Sequence, residues 1–194
     1  IINYSRKKLK ESKSLNLGCL ARFEKRKGLN NLIEIMPKIL NYNDKIKLFI
    51  AGNDPFGYKK QLDKKIRALD LQENIFLETF TNQPNKFLSK IDIYVYASVA
   101  EGFGLSVLEA LNMKVPVVCF DILPLNKMVI HNKNGLLAEP FKLNDFKENL
   151  LFLIKNKRLR DKFSNFGEKH LIDNFSMDAM ISKVENLYKL KSSK

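Results

Sequence analysis

The fold of this chain is decided by the stretch Ser98-Val-Ala-Glu-Gly-Phe-Gly-Leu-Ser-Val-Leu-Glu-Ala-Leu111. It continues an apolar run, residues 91–98, that has the character of a buried strand, and from about Leu105 its residues are good helix formers. Gly102 and Gly104 allow the backbone to turn and to approach a ligand closely. The stretch therefore predicts a strand, a tight loop and a helix, and the free amide groups of the first helical turn form an anion site.

Glu101 and Glu109 stand eight positions apart, in the loop and about one turn into the helix, so both can reach one pocket. A carboxylate accepts hydrogen bonds and donates none, so its small-molecule partners are hydroxyl groups such as those of ribose and hexose rings. A ligand that places an anionic group at the helix amides and hydroxyl groups at the two carboxylates fits this site. A nucleotide sugar has both kinds of group. The alternative is that Glu101 only complements the helix dipole and Glu109 is a solvated surface residue.

Units of strand, loop and helix repeat on both sides of this stretch. Apolar runs predict strands at about residues 15–21, 46–52, 75–77, 91–98, 115–120 and 135–138. Helical patterns lie between these strands, and three more helices are expected at 144–155, 157–174 and 177–190. This alternation predicts an α/β fold: a Rossmann-like parallel six-stranded sheet with helices on both faces. Ligands bind such sheets beyond the carboxyl ends of the strands, where the strand order reverses.

The amino-acid composition limits the class of protein and the kinds of partner that this chain can have. The 194 residues are 45% hydrophobic and carry a net charge of +13, which indicates a globular domain that favours anionic partners. Cys19 and Cys119 lie in apolar runs, so we expect buried thiols and a reducing, cytoplasmic setting. There is no signal-peptide pattern or membrane-spanning run, and His131 and His170 stand too far apart to suggest a metal site. The first residue is not Met, which is consistent with a piece of a longer protein.

Several short motifs follow one another in a fixed order. Besides the E-x7-E pair, they are Ala-Arg-Phe-Glu-Lys-Arg-Lys-Gly at 21–28, Ile-Ala-Gly-Asn-Asp-Pro at 50–55, Val-Pro-Val-Val at 115–118 and Asn-Gly-Leu-Leu at 134–137. Over about residues 15–190 the chain resembles the carboxyl-terminal, nucleotide-sugar-binding half of the family 4 retaining glycosyltransferases, which have the GT-B fold. It departs from them at Ala21 and Lys114, where the family usually has Gly, and at residues 121–127, where the family often has a Gly-Gly pair and a Glu.

The resemblance implies three catalytic residues. Arg22 and Lys27 grip the donor diphosphate and neutralise the charge that builds on the leaving nucleotide. Glu101 holds the donor sugar. Fixed cations of this kind stabilise the transition state more than the ground state, so the chemistry requires no metal and no cofactor beyond the donor substrate. From the residues alone, a solvated basic loop is the alternative for this region, and we expect Lys25 and Arg26 to be solvated.

The resemblance also implies the residues that bind the donor. Glu109 binds the ribose hydroxyls, and the backbone from Gly102 through Phe103 and Gly104 to Leu105 holds the distal phosphate and sugar. Two further positions complete this set, Gly52 after the second strand and Thr81 in the loop after the third. That loop, near residues 79–82, is also where we expect the nucleobase to be selected. Phe103 could instead be simple packing, and Ser98 a helix or loop cap.

By this resemblance the chain is the donor-binding half of a hexosyltransferase that uses a UDP- or GDP-sugar and acts on a polysaccharide, lipopolysaccharide or glycolipid acceptor. Residues 1–14 are a basic linker, 15–174 the donor-binding domain, and 175–194 a helix packing toward a missing amino-terminal domain that binds the acceptor. The alternatives are another GT-B-type enzyme, an epimerase or phosphorylase, or a basic module that binds nucleotide or anionic membrane without catalysis. The positive net charge also favours peripheral association with the inner face of a membrane. No sequence motif indicates that the chain binds nucleic acid.

Overall fold

A computed structural model describes residues 15–79 and 82–192. Six parallel strands form one sheet in the order β3-β2-β1-β4-β5-β6. Their bounds are β1 Asn16–Leu20, β2 Lys47–Gly52, β3 Ile75–Thr79, β4 Ile93–Tyr96, β5 Val117–Phe120 and β6 Gly135–Ala138. Every residue of β4 and β5 is buried, as expected for central parallel strands covered on both faces. The predicted fold class and the six predicted strands are confirmed.

Helices follow the strands along the chain. They are α1 Leu29–Leu40, α2 Lys59–Ala68, α3 Pro84–Ser89, α4 Leu105–Asn112, α5 Leu125–Met128, α6 Leu143–Lys155, α7 Lys157–Phe175 and α8 Met177–Ser192, with a 3₁₀ helix at Lys25–Lys27. In α1 the buried positions Leu29, Leu32, Met36 and Ile39 recur at helical spacing. The predicted helix bounds agree with the structure to within a few residues. The strands β4 and β5 are shorter than predicted because their flanking apolar residues are buried outside the hydrogen-bonded ladder.

Cys19 on β1 and Cys119 on β5 are fully buried free thiols in the hydrophobic core. Burial raises the pKa of both thiols well above the ordinary value, so they remain neutral. The prediction that they serve as small core residues is confirmed.

The strand order reverses between β1 and β4. Leu17 of β1 pairs with Leu48 of β2 on one side and with Ile93 of β4 on the other. The chain winds outward from this point in both directions, so the loops after β1 and β4 diverge and leave a crevice between them. The fold thus places the charged loop at 22–28 beside the glutamate-bearing loop at 98–104.

The helix α8 contacts α7 and carries exposed apolar side chains. Met177, Met180, Ile181, Val184 and Tyr188 recur along one face of it, at exposures of 44% to 71%. The predicted basic linker at 1–14 lies outside the described residues. Within the described part of the chain, none of the helices has the length and apolar character needed to cross a bilayer.

Candidate functional site

A cavity of about 650 Å³ opens at the crevice between β1 and β4, a volume typical of small-molecule sites. Its walls come from the loop after β1, the end of β2, the start of α3, the end of β4 and the first turn of α4. The lining residues are Leu20, Ala21, Arg22, Lys27, Ala51, Gly52, Asn53, Asn82, Pro84, Tyr96, Glu101, Phe103, Gly104, Leu105, Ser106 and Glu109. The structure thereby brings Arg22, Lys27, Glu101 and Glu109 together around one space.

Lys27 and Glu101 form a buried ion pair in the wall of this cavity. Lys27 Nζ lies 2.6 Å from Glu101 Oε1, and the two side chains are only 9% and 5% exposed. Tyr96, at the end of β4, joins the pair: its hydroxyl donates to Glu101 Oε1 at 2.7 Å and accepts from Lys27 Nζ at 3.2 Å. The 3₁₀ helix Lys25–Lys27 and the loop between β4 and α4 therefore hold the two charges against each other, and Tyr96 at the end of β4 contacts both.

The two glutamates of the motif have opposite electrostatic surroundings. Burial raises the pKa of Glu101, but hydrogen bonds from Lys27, Ser98 and Tyr96 lower it by more, and the pKa ends below the ordinary value. Burial likewise raises the pKa of Glu109, and no described residue donates a hydrogen bond to its carboxylate. Glu109 is thus a partly buried acceptor whose capacity is open to a ligand.

Arg22 stands at the mouth of the cavity, 53% exposed, beside Glu24. Arg22 Nε lies 2.8 Å from Glu24 Oε1, a contact that lacks hydrogen-bond geometry, whereas Arg26 Nε donates to Glu24 Oε2 at 2.7 Å. Arg26 Nη1 also reaches the carbonyl oxygen of Ala100 at 3.3 Å. The prediction that Arg26 is simply solvated is wrong, because its guanidinium links the two loops that flank the crevice.

The first turn of α4 presents free amides to the cavity. The helix begins after Gly104, whose φ of 92° lies in the left-handed region and whose missing side chain makes room for Leu125. The amides of Val107 and Leu108 bond to the Gly104 carbonyl, and those of Phe103 to Ser106 donate to no described group. Phe103 and Leu105 line the cavity at exposures of 49% and 66%, so neither side chain is simple core packing.

The remaining predicted positions differ in what the structure says of them. Gly52 lines the cavity, and a side chain there would collide with the carbonyl of Ala21, so this glycine packs the ends of β1 and β2 together. Gly102 has open space around it and is not among the lining residues. Ser98 caps no described helix; its hydroxyl lies 3.1 Å from the carbonyl oxygens of both Arg26 and Ala100 and can donate to either, so it connects the two loops. Thr81 lies outside the described residues.

Two residues of the site, Tyr96 and Glu24, are not predicted from the sequence. Tyr96 lies in an apolar strand pattern in which a tyrosine is indistinguishable from a core residue, and it is in fact only 2% exposed. Its position at the carboxyl end of β4, five residues before Glu101, was the available signal. Glu24 lies inside the charged loop at 22–28, where the prediction concerns only the basic residues. His131 and His170 have local partners: His131 Nδ1 accepts from the Leu137 amide, and His170 stacks on Phe166.

The fold and the cavity define the class: the Rossmann-like carboxyl-terminal half of a GT-B protein, with a cavity at the switch point of the sheet. The sequence model described as "Glycosyl transferases group 1" matches residues 1–170 of the chain. The chain therefore belongs to the glycosyl transferases group 1 family. The resemblance found in its motifs is confirmed at the level of this family.

Individual relatives agree with this assignment. The poly(ribitol-phosphate) alpha-N-acetylglucosaminyltransferase of Staphylococcus aureus is 31% identical over 173 residues, which are 89% of this chain and 35% of that protein. The crystal structure of a point variant of S. aureus TarM in complex with fondaparinux, alpha-GlcNAc-glycerol and UDP superposes with a TM-score of 0.83 and 30% identity over 94% of this chain and 38% of that one. The chain spans less than half the length of the first curated relatives that it matches.

One solved structure has nearly the same extent as this chain. The carboxyl-terminal domain of a glycosyl transferase group 1 family protein, LpcC, from Francisella tularensis superposes with a TM-score of 0.75 and 27% identity. The match covers 84% of this chain and 87% of that domain. The present chain corresponds in extent to such a carboxyl-terminal half.

Proposed function

We propose that this chain is the donor-binding half of a retaining glycosyltransferase, which transfers a hexose from a UDP- or GDP-sugar to a polysaccharide, lipopolysaccharide or glycolipid. The observation that carries the proposal is the convergence of Arg22, Lys27, Glu101 and Glu109 on one cavity at the switch point of the sheet. Two of these side chains are cations and two are hydroxyl acceptors, which is the set that a nucleoside diphosphate joined to a sugar requires.

In the proposed complex the diphosphate lies between Arg22, Lys27 and the free amides at the start of α4. When the bond from the sugar to the distal phosphate breaks, negative charge grows on the departing nucleotide. Cations and helix-end amides fixed in place before the reaction stabilise that growing charge without reorganising, which lowers the barrier. This arrangement assigns charge neutralisation to the protein itself, so the proposal requires no metal ion.

The two glutamates take different hydroxyls in this proposal. Glu109 has no partner among the described residues, and we assign it to the ribose hydroxyls. Glu101 keeps one oxygen in contact with Lys27 and offers the other to the donor sugar, close to the bond that breaks. The TarM complex contains UDP, which supports a uridine nucleotide as the first ligand to test. Asn53 and Asn82 also line the cavity, and in this proposal we assign them to the base.

Calorimetric titration with UDP, GDP and ADP tests the proposal. We expect one nucleotide to bind, and Arg22→Ala to weaken that binding about tenfold, because a charge-assisted contact to phosphate is lost. Arg158→Ala, an exposed arginine on α7 outside the cavity, is the matched control and should bind as the wild type does. A folded wild-type chain that binds none of the three nucleotides, or equal weakening in both variants, contradicts the proposal.

The acceptor, in this proposal, binds to an amino-terminal domain that these residues do not include. The apolar stripe on α8, containing Met177, Met180, Ile181, Val184 and Tyr188, is the surface we assign to contact with that domain. The described residues would then bind donor and transfer sugar slowly or not at all, since the catalytic cleft lies between the two halves. Rapid transfer by these 194 residues alone contradicts this part of the proposal.

We also propose a cytoplasmic setting with the chain held at an anionic membrane surface by its net charge of +13. Basic residues near such a surface contribute roughly 1 kcal/mol each, and salt screens them. Binding to liposomes that contain anionic lipid, lost at high salt, is the expected result. Absence of binding at low salt contradicts it.

A further inference from the structure

Tyr96 closes a ring of three polar side chains in the cavity wall. Lys27 Nζ donates to Glu101 Oε1 and to Tyr96 Oη, and Tyr96 Oη donates to the same oxygen of Glu101. The three groups come from three places in the sequence: the loop after β1, the end of β4 and the loop before α4. A tyrosine that is 2% exposed and bonded to both members of an ion pair is placed to control them.

The ring uses only part of what each charged group can offer. An ammonium has three donors, of which Lys27 gives one to Glu101 and one to Tyr96. The contacts from Lys27 and Tyr96 both fall on Oε1, so neither of these two groups occupies Oε2. Without the tyrosine hydroxyl, the ammonium is free to turn toward both carboxylate oxygens and form a closed pair.

We propose that Tyr96 is a positioning residue, whose hydroxyl holds Glu101 against Lys27 so that one carboxylate oxygen remains directed at the donor sugar. The inference rests on the proposed function, and it deepens it by assigning recognition of the sugar portion, as distinct from the nucleotide, to this ring. Tyr96 itself touches neither the phosphate nor the reacting bond. Its effect is therefore on the donor sugar, through Glu101.

The chain supplies a matched control in Tyr94. Tyr94 lies on the same strand, is fully buried and stacks on Tyr96 with ring centroids 5.9 Å apart. Its hydroxyl bonds to the backbone of Leu20, at 3.0 Å and 3.1 Å, and to the side chain of Ser106, but it contacts neither Lys27 nor Glu101 and does not line the cavity. Tyr94→Phe and Tyr96→Phe thus each remove one buried hydroxyl and keep the ring that packs the sheet.

The first measurement compares a nucleoside diphosphate with its sugar conjugate, such as UDP with UDP-glucose and UDP-N-acetylglucosamine, by calorimetry. We expect Tyr96→Phe to bind the diphosphate within about twofold of the wild type and the preferred sugar conjugate about tenfold more weakly, because a hydrogen bond to a charged group is lost. Tyr94→Phe should leave the ratio of the two affinities unchanged. Equal losses for both ligands in Tyr96→Phe, or no loss, overturn the inference.

The second measurement needs no ligand: an NMR titration of the Glu101 carboxyl in each variant. Besides Lys27 and Tyr96, the titratable groups near Glu101 are Cys19 on β1 and Arg26 in the first loop, and neither is altered here. We expect the pKa of Glu101 to rise in Tyr96→Phe and to stay in Tyr94→Phe, and an unchanged pKa in Tyr96→Phe overturns the inference. A wild-type chain that binds no nucleotide overturns the proposed function itself, which separates the two failures.

Discussion

Glu101 and Glu109 belong to one short motif and line one cavity, yet the structure treats them in opposite ways. Glu101 is 5% exposed and bonded to Lys27 and Tyr96, and its pKa lies below the ordinary value. Glu109 has no described partner, and burial raises its pKa. The first carboxylate is stabilised before any ligand arrives, whereas the second loses part of its hydration without compensation.

The difference shows that the spacing of the two glutamates in the sequence does not by itself determine what each carboxylate does in the site. The motif brings both glutamates to the cavity, but the partner 74 residues away decides the state of Glu101. An unpaired acceptor in a cavity wall is a good place for ligand hydroxyls, because binding then restores hydrogen bonds that folding removed. A paired acceptor first contributes to the stability and shape of the site.

Removing the partner of Glu101 should produce the largest effect. Lys27→Met leaves a buried carboxylate without its cation, and we expect the free energy of unfolding to fall by about 3 kcal/mol. The measurement is chemical denaturation at neutral pH. The variant would make the surroundings of Glu101 resemble those of Glu109, with its pKa raised as well.

Two variants sharpen that result. Arg22→Met is the matched control, because Arg22 is 53% exposed and should change stability by less than about 1 kcal/mol. Adding Glu101→Gln to Lys27→Met should recover part of the loss, since the stranded charge is removed. A loss below about 1 kcal/mol in Lys27→Met would show that the pair contributes no more than a surface one.

The dependence of stability on pH should have opposite signs for the two glutamates. A lowered pKa, as in Glu101, adds stability above the unfolded value of about 4.3, and this is lost as the pH falls through the folded value. A raised pKa, as in Glu109, adds stability only at low pH, and it is lost as the pH rises through the folded value. Denaturation between about pH 3 and 7 measures both.

The glutamine variants isolate these two contributions. Glu101→Gln should be less stable than the wild type at neutral pH, and the gap should narrow as the pH falls. Glu109→Gln should be slightly more stable at neutral pH, and that gain should shrink on acidification. If both glutamine variants differed from the wild type in stability in the same direction at neutral pH, the two glutamates would not have opposite electrostatic surroundings.

The smallest effect is expected at the mouth of the cavity. Glu24→Gln removes the charge shared by Arg22 and Arg26, and we expect a change in stability below about 1 kcal/mol because both arginines are partly exposed. Nucleotide binding should strengthen modestly, since Arg22 no longer has a competing anion. Weaker binding would instead mean that Glu24 holds Arg22 in its working position.

Most of the fold could be predicted from the sequence because its signals are local. The apolar runs of β2 and β6 and the helical spacing of α1 can each be recognised in a single window. The ends of β4 and β5 could not be located, because residues such as Ile91 and Val115 are equally buried whether or not they join the ladder. The parallel direction of the strands followed from the regular alternation of strands and helices, whereas their order in the sheet comes from the structure alone.

Many residues of the candidate site could be predicted from the sequence, but the hydrogen bonds that join them could not. The spacing of the two glutamates pointed to Glu101, and the family resemblance pointed to Arg22 and Lys27. The tyrosine that joins the last two looks like a core residue in sequence, and the loop-bridging bond from Arg26 to Ala100 joins positions 74 residues apart. Such contacts depend on three-dimensional packing, which no periodicity reports.

The most direct test is whether Glu109 binds the ribose hydroxyls of the nucleotide. The nucleoside diphosphate that binds best and its 2′-deoxy counterpart are titrated into the wild type and into Glu109→Ala. We predict that the wild type binds the deoxy form about tenfold more weakly, because one hydroxyl bond to a carboxylate is missing, and that Glu109→Ala binds both forms equally. The same preference for the ribose form in both proteins would contradict the account, since the hydroxyl would then be recognised elsewhere.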